Sequence, residues 1–203
     1  MTLSYYKQTA SAFAASTVSA DLSAARERFL TKLAPGAAIL DLGCGSGRDT
    51  KAFLERGFRV TASDGTPELC AIASAYTGIP VRQQLFSELS DREAYDGIWA
   101  CASLLHVPSA ELPDILRRVA AALKPGGILY ASFKYGTFEG ERDGRFFLDL
   151  TEETFTPYLK ALPDLALEDQ WITADVRPGR ENEKWLNLLL RRTPQHSKPQ
   201  PQP

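Results

Sequence analysis

From residue 38 onward, short apolar runs alternate with longer amphipathic stretches, and glycine or proline marks most of the junctions. Ala38-Ile39-Leu40-Asp41-Leu42 is a compact apolar run that stops at three closely spaced glycines, the pattern of a buried strand. Arg48 to Arg56 has helical composition and ends at Gly57, after which Phe58 to Ser63 reads as a second strand closed by Asp64. Thr66-Pro67 opens a helix through Tyr76, and Gly78 to Pro80 leads into a third strand at Val81 to Leu85. Tyr95 to Cys101 predicts a fourth strand, Ala110 to Leu123 a helix, Lys124-Pro125-Gly126-Gly127 a turn, and Ile128 to Phe133 a fifth strand.

The two ends of the chain depart from this alternation. Met1 to Leu33 lacks glycine and proline and spaces its apolar residues, Phe13, Val18, Leu22, Ala25, Phe29 and Leu33, as helices do. After a glycine- and charge-rich connection, Thr151 to Leu162 predicts a helix capped by Thr151, with Glu152 and Glu153 in its first turn. Leu165 to Asp175 and Lys184 to Arg192 then read as strands. Only the polar Arg177-Pro178-Gly179-Arg180 segment joins them, so they predict an antiparallel hairpin at a sheet edge. The expected architecture is a seven-stranded, mostly parallel α/β sheet with that C-terminal hairpin and helices on both faces. One domain over residues 1–192 and a disordered tail at 193–203, rich in Pro, Gln and Ser, complete it.

Composition narrows the class. Hydrophobic residues are 44% and charged residues 24% of 203, ordinary globular usage. A net charge of -2 gives no general attraction to phosphate backbones and argues against a nucleic-acid binder. The three cysteines, Cys44, Cys70 and Cys101, are widely spaced and form no disulfide framework or zinc pattern, so no metal is expected. No apolar run approaches the roughly 18 residues of a membrane span, and the first 20 residues lack a signal-peptide core, which makes the cytoplasm the expected location.

Chemistry concentrates at Asp41-Leu42-Gly43-Cys44-Gly45-Ser46-Gly47, where a carboxylate ends a strand and alternating glycines precede a helix. Such a loop lets a ligand touch bare backbone, although an ordinary tight turn also uses glycines. Asp64, 21 residues after Gly43 and at the end of the second strand, is placed to accept hydrogen bonds from both hydroxyls of an adenosine ribose; capping the helix at Thr66 is its alternative role.

Ile39 to Gly47, Tyr95-Asp96-Gly97-Ile98-Trp99 and Leu123-Lys124-Pro125-Gly126-Gly127, in that order and spacing, resemble the class I S-adenosylmethionine-dependent methyltransferases over about Leu33 to Phe133. The Gly-Ser-Gly-Arg-Asp loop is most similar to small stand-alone enzymes of the tellurite-resistance and small-molecule type. The resemblance implies S-adenosylmethionine as cofactor, over the carboxyl ends of the first and fourth strands. It implies Gly43, Cys44 and Gly45 along the methionine end, Asp41 near its amino group, Asp64 on the ribose, and Gly65, Thr66, Leu85 and Phe86 beside the adenine. This chain lacks the acidic residue that the family often has near Leu85. Ala100 and Cys101 would form the wall beneath the methionine moiety, and the 1–33 segment would fold over the cofactor as a lid, bringing Tyr5 and Tyr6 to the sulfonium side; ordinary packing is the alternative role of both tyrosines. Arg48 could pair with the cofactor carboxylate or make a salt bridge instead.

Methyl transfer from a sulfonium needs alignment and exclusion of water more than a catalytic triad. A general base matters only for an acceptor that arrives protonated, and His106, just past the fourth strand, is the candidate; local packing before Pro108 is its alternative. Lys134, Arg142, Arg145, Arg177 and Arg180 border the expected acceptor pocket and suit a small anionic acceptor, or form a solvated surface balanced by Glu139, Glu141 and Asp143. The partners expected are a small-molecule acceptor and no nucleic acid or membrane, in a monomer or homodimer. Two other readings stay open: a cofactor-binding regulatory protein without catalysis, and a nicotinamide oxidoreductase. The second would favour Gly-x-Gly-x-x-Gly over the spacing found here. No Asn/Asp-Pro-Pro-aromatic motif or Pro-Cys nucleophile follows the fourth strand, which argues against amino-methylating enzymes of DNA or glutamine and against cytosine-C5 enzymes.

Overall fold

A computed structural model describes residues 2–193. The expected tail therefore lies, beyond its first residue, outside the described residues. Two helices, α1 (Thr2–Thr17) and α2 (Ser23–Leu30), precede the alternating part: β1 (Ala38–Leu42), α3 (Arg48–Glu55), β2 (Arg59–Asp64), α4 (Pro67–Thr77), β3 (Val81–Gln83), β4 (Tyr95–Ala100), α5 (Leu112–Ala122) and β5 (Leu123–Lys134). A short hairpin, β6 (Glu139–Arg142) and β7 (Arg145–Leu148), then leads to α6 (Glu152–Ala161), β8 (Leu165–Ala174) and β9 (Lys184–Arg192).

Seven strands form one sheet in the order β3-β2-β1-β4-β5-β9-β8. The first five are parallel, and β9 joins β5 antiparallel, with Ala131 opposite Leu188. Alternation along each central strand supplies both faces. Ile39, Ile128, Tyr130 and Leu189 pack with Phe29 of α2 and Phe53 of α3, whereas Leu40, Leu129, Ala131 and Leu188 pack with Leu116 of α5 and Phe155 of α6. With both faces covered, the central strands read as unbroken apolar runs. Chain order reverses direction between β1 and β4, which opens a crevice at their carboxyl ends.

Two local readings are corrected. The expected turn at Lys124 to Gly127 lies within β5 as an irregularity: Leu123 pairs with Tyr95, and the register resumes at Ile128 with Gly97. The stretch read as an irregular connection contains the β6–β7 hairpin, where Arg142 faces Arg145 across a two-residue turn. Asp143 (φ 54°) and Gly144 (φ 75°) both take the left-handed conformation, the geometry that a two-residue hairpin needs to match strand twist.

Candidate functional site

The carboxyl ends of β1, β2 and β4 meet at the glycine loop. Gly43 sits at φ 79°, and a Cβ there would fall 2.5 Å from the Ser103 Cβ, so this approach admits only glycine. Ser103 Oγ donates to Leu42 O at 2.7 Å, and the amides of Gly43 and Cys44 donate to Ser63 O, which ties β1 to both neighbouring strand ends. Asp64 accepts from Gly45 N (3.0 Å) with one oxygen and from Thr66 N (2.8 Å) with the other. Both of its expected settings therefore coexist: the carboxylate steadies the start of α4 and also faces a cavity lined by Gly43, Gly45, Gly65, Thr66, Leu85 and Phe86. Burial raises the Asp64 pKa against those amide bonds. Gln84 lines the same cavity, and its Oε1 is buried without a hydrogen-bond partner.

A second cavity adjoins the first and contains Asp41, Cys44, Arg48, Cys101 and Ala102. Asp41 is buried, accepts from Thr50 Oγ1 at 2.6 Å, and has its pKa pushed up to about 7 by burial and by Asp49. Burial works against the Asp49 charge too, but Arg48 and Arg26 outweigh it and hold its pKa low. Trp99 Nε1 donates to the same carboxylate at 3.0 Å. Arg48 thus takes the salt-bridge alternative: it pairs with Asp49 at 2.6 Å and donates to Thr17 O at 3.2 Å, although its side chain lines the cavity. The Cys101 thiol is pushed up to about 12 by burial, which leaves it unreactive. Ala100 is corrected as a wall residue. It pairs with Ala131 inside β4, is fully buried and reaches neither cavity; the next three residues, Cys101, Ala102 and Ser103, line the cavities instead.

Tyr6, Phe13 and His106 stand where the two cavities join. Phe13 closes on the glycine loop, at 3.2 Å from where a Gly45 Cβ would lie. His106 Nδ1 donates to Phe146 O at 2.6 Å, which leaves Nε2 to accept from the Tyr6 hydroxyl at 2.8 Å. Burial pushes the His106 pKa down to about 4, so the ring is neutral near pH 7. Burial also raises the Tyr6 phenol. Tyr5 lines neither cavity and meets Tyr6 edge to face, with ring centroids 5.4 Å apart. The β6–β7 hairpin completes the roof with Arg145 and Phe147, and Phe146 N donates to Thr2 Oγ1 of α1.

The cationic border differs from the expected one. Lys134 pairs with Glu183, Arg180 with Glu183, Arg177 with Asp175, and Arg142 with Asp149 outside the cavity. None of these partners is among Glu139, Glu141 and Asp143. Among the described residues no helix is long and apolar enough to cross a membrane, and no group of three or more His, Cys, Asp or Glu is placed to hold a metal ion.

A family model described as a methyltransferase domain matches residues 39–127. A ubiquinone biosynthesis O-methyltransferase of Xanthomonas campestris pv. campestris (strain B100) is 35% identical over 105 residues, which cover 48% of this chain and 43% of that protein. The match thus spans less than half the length of that curated relative. Among solved structures, the chain is similar to the 1,6-didemethyltoxoflavin-N1-methyltransferase of Burkholderia thailandensis, solved with 1,6-didemethyltoxoflavin and S-adenosylhomocysteine. The TM-score is 0.74 at 26% identity, over 95% of this chain and 85% of that one. A DhpI complex with S-adenosylhomocysteine gives a TM-score of 0.69 at 27% identity, over 95% and 96% of the two chains.

Proposed function

We propose a methyl-transfer reaction from one premise: the chain belongs to the class I S-adenosylmethionine-dependent methyltransferases, and S-adenosylmethionine is its cofactor. In this reading the acceptor is a small molecule that occupies the cavity under the β6–β7 hairpin, next to the glycine loop. The single observation that carries it is the placement of Asp64. Each carboxylate oxygen accepts one backbone amide and keeps lone-pair capacity toward the cavity, which suits the two hydroxyls of a ribose.

The other residues fit the same ligand. Gln84 Oε1, buried and unpartnered, can accept from the exocyclic amino group of an adenine, a duty open because Glu88 is turned back onto Leu85 N and does not line the cavity. Leu85 and Phe86 supply apolar contact, and Gly65 and Thr66 supply backbone. Asp41, held by burial on the edge of ionisation, gains a cation when an ammonium group enters its cavity. Gly43, Cys44 and Gly45 line the cavity and can run along the chain of the amino acid.

Bound S-adenosylmethionine supplies a methyl group already activated on a positively charged sulfur. The protein then has to align the acceptor and exclude water. Tyr6 and Phe13 of α1 cover the junction of the two cavities, consistent with a lid formed by the N-terminal segment. We assign His106 a positioning role in place of base: its free lone pair is occupied by the Tyr6 hydroxyl, and a pKa of about 4 makes it a weak proton acceptor.

The test is transfer of label from methyl-labelled S-adenosylmethionine into the small-molecule fraction of a deproteinised metabolite extract. Label in that fraction, dependent on the protein, is the expected result. Saturable cofactor binding with no label transferred would move the chain to the regulatory, binding-only reading.

A further inference from the structure

One cation over the acceptor cavity has no carboxylate partner. Arg48, Lys134, Arg145, Arg177 and Arg180 all line it. Arg48 is matched by Asp49, Lys134 and Arg180 by Glu183, and Arg177 by Asp175. Arg145 makes no ion pair among the described residues, and its Nε is buried without a hydrogen-bond partner. The guanidinium carbon lies 4.6 Å from the Tyr5 ring centroid and 5.0 Å from that of Phe147, so aromatic faces hold it where a carboxylate would be expected. A partly buried cation with an orphaned N–H is costly unless a ligand completes it.

Its position is well determined. The Asp143-Gly144 turn aims β7 across the cavity, and a Cβ on Gly144 would stand 3.3 Å from Tyr5, so the hairpin tip is seated on α1. Arg145 follows that turn directly, and its charge adds to burial in keeping His106 neutral.

We propose that Arg145 is the acceptor anchor, and that the acceptor is a small acid whose carboxylate or phosphoryl oxyanion pairs with its guanidinium. This rests on the methyl-transfer reading of the same cavity. The orphaned Nε–H belongs to the side edge of the guanidinium fork, the edge that meets two oxygens of one oxyanion in parallel. A lysine in its place would offer a point charge without that pairing. Each of the other four cations already touches a carboxylate, Lys134 and Arg180 sharing Glu183, so selection for the acid falls on Arg145.

Calorimetric titration of the S-adenosylhomocysteine-saturated protein tests this. The probes are benzoate and phenyl phosphate, with benzamide as the neutral counterpart; Phe147 and Trp185 on the cavity wall suit an aryl group. At least one acid binds the wild type, and Arg145→Met weakens it about tenfold or more. Arg145→Lys retains part of the affinity, and both variants still saturate with S-adenosylhomocysteine, which reports that they fold. Binding of benzoate alone assigns a carboxylate, and binding of phenyl phosphate alone a phosphoryl group. No acid binding to the wild type, equal binding to Arg145→Met, or benzamide binding as tightly as benzoate overturns the proposal. Failure of S-adenosylhomocysteine itself to bind the wild type overturns the underlying reading, and the anchor with it.

Discussion

Asp41 makes cofactor affinity a function of pH. Its carboxyl is 3% exposed, receives one hydroxyl from Thr50, and sits near the charge of Asp49, which together hold its pKa at about 7. An ammonium group in the cavity requires the ionised form, so the protonated fraction must release its proton on binding. With a pKa of about 7, apparent affinity for S-adenosylhomocysteine is about tenfold weaker at pH 6 than at pH 8, and about one proton leaves per ligand bound at pH 6. The sign for stability is opposite. The folded pKa lies above that of the unfolded chain, so this group's contribution is full below about pH 4 and is lost as pH rises through about 7. Titration calorimetry at pH 6 and 8, in two buffers of different ionisation enthalpy, measures affinity and proton release together. Asp41→Asn should bind more weakly at pH 8 and lose the pH dependence. A wild-type affinity flat between pH 6 and 8, with no proton released, would refute the reasoning.

Three other substitutions separate scaffold from site. Gly43→Ala places a Cβ 2.5 Å from Ser103 at φ 79°, and should cost about 2–5 kcal/mol in urea denaturation and abolish cofactor binding; an unchanged midpoint contradicts it. Trp99→Phe removes a donor from Asp49 and should cost about 1–3 kcal/mol, yet leave S-adenosylhomocysteine affinity intact because Trp99 lines neither cavity. Tyr6→Phe leaves His106 Nε2 without its donor. It should lower thermal stability and speed cofactor release in a stopped-flow chase, and equal release rates would exclude a closing role for the contact.

The sheet was legible because its signals are local. The apolar runs at Ile39 to Leu42 and Ile128 to Phe133 needed no partner to be read, and the polar turn after Asp175 announced the antiparallel pair. The β6–β7 hairpin carried a local signal as well, since Asp143-Gly144 is a favoured two-residue turn, but the flanking charges at 139–145 disguised the strands. Within the candidate site, the glycine loop at Gly43 and the strand-end Asp64 stood out in the sequence, and Asp41 entered through the family resemblance. Gln84 was not, because only burial reveals an unpartnered amide oxygen, and nothing in Gln83-Gln84 distinguishes one side chain from the next. The pairing of Tyr6 with His106 joins residues 100 positions apart. The pairing of Lys134, Arg177 and Arg180 likewise depends on the β8–β9 turn bringing Asp175 and Glu183 to them, so composition alone could not single out Arg145.

The most direct measurement is calorimetric titration of the protein and of Asp64→Ala with S-adenosylmethionine, S-adenosylhomocysteine and NAD. The account predicts saturable binding of both sulfur compounds, at least about tenfold weaker in the variant, and no binding of NAD. Tight binding of NAD with none of S-adenosylhomocysteine, or equal affinity in Asp64→Ala, would contradict it.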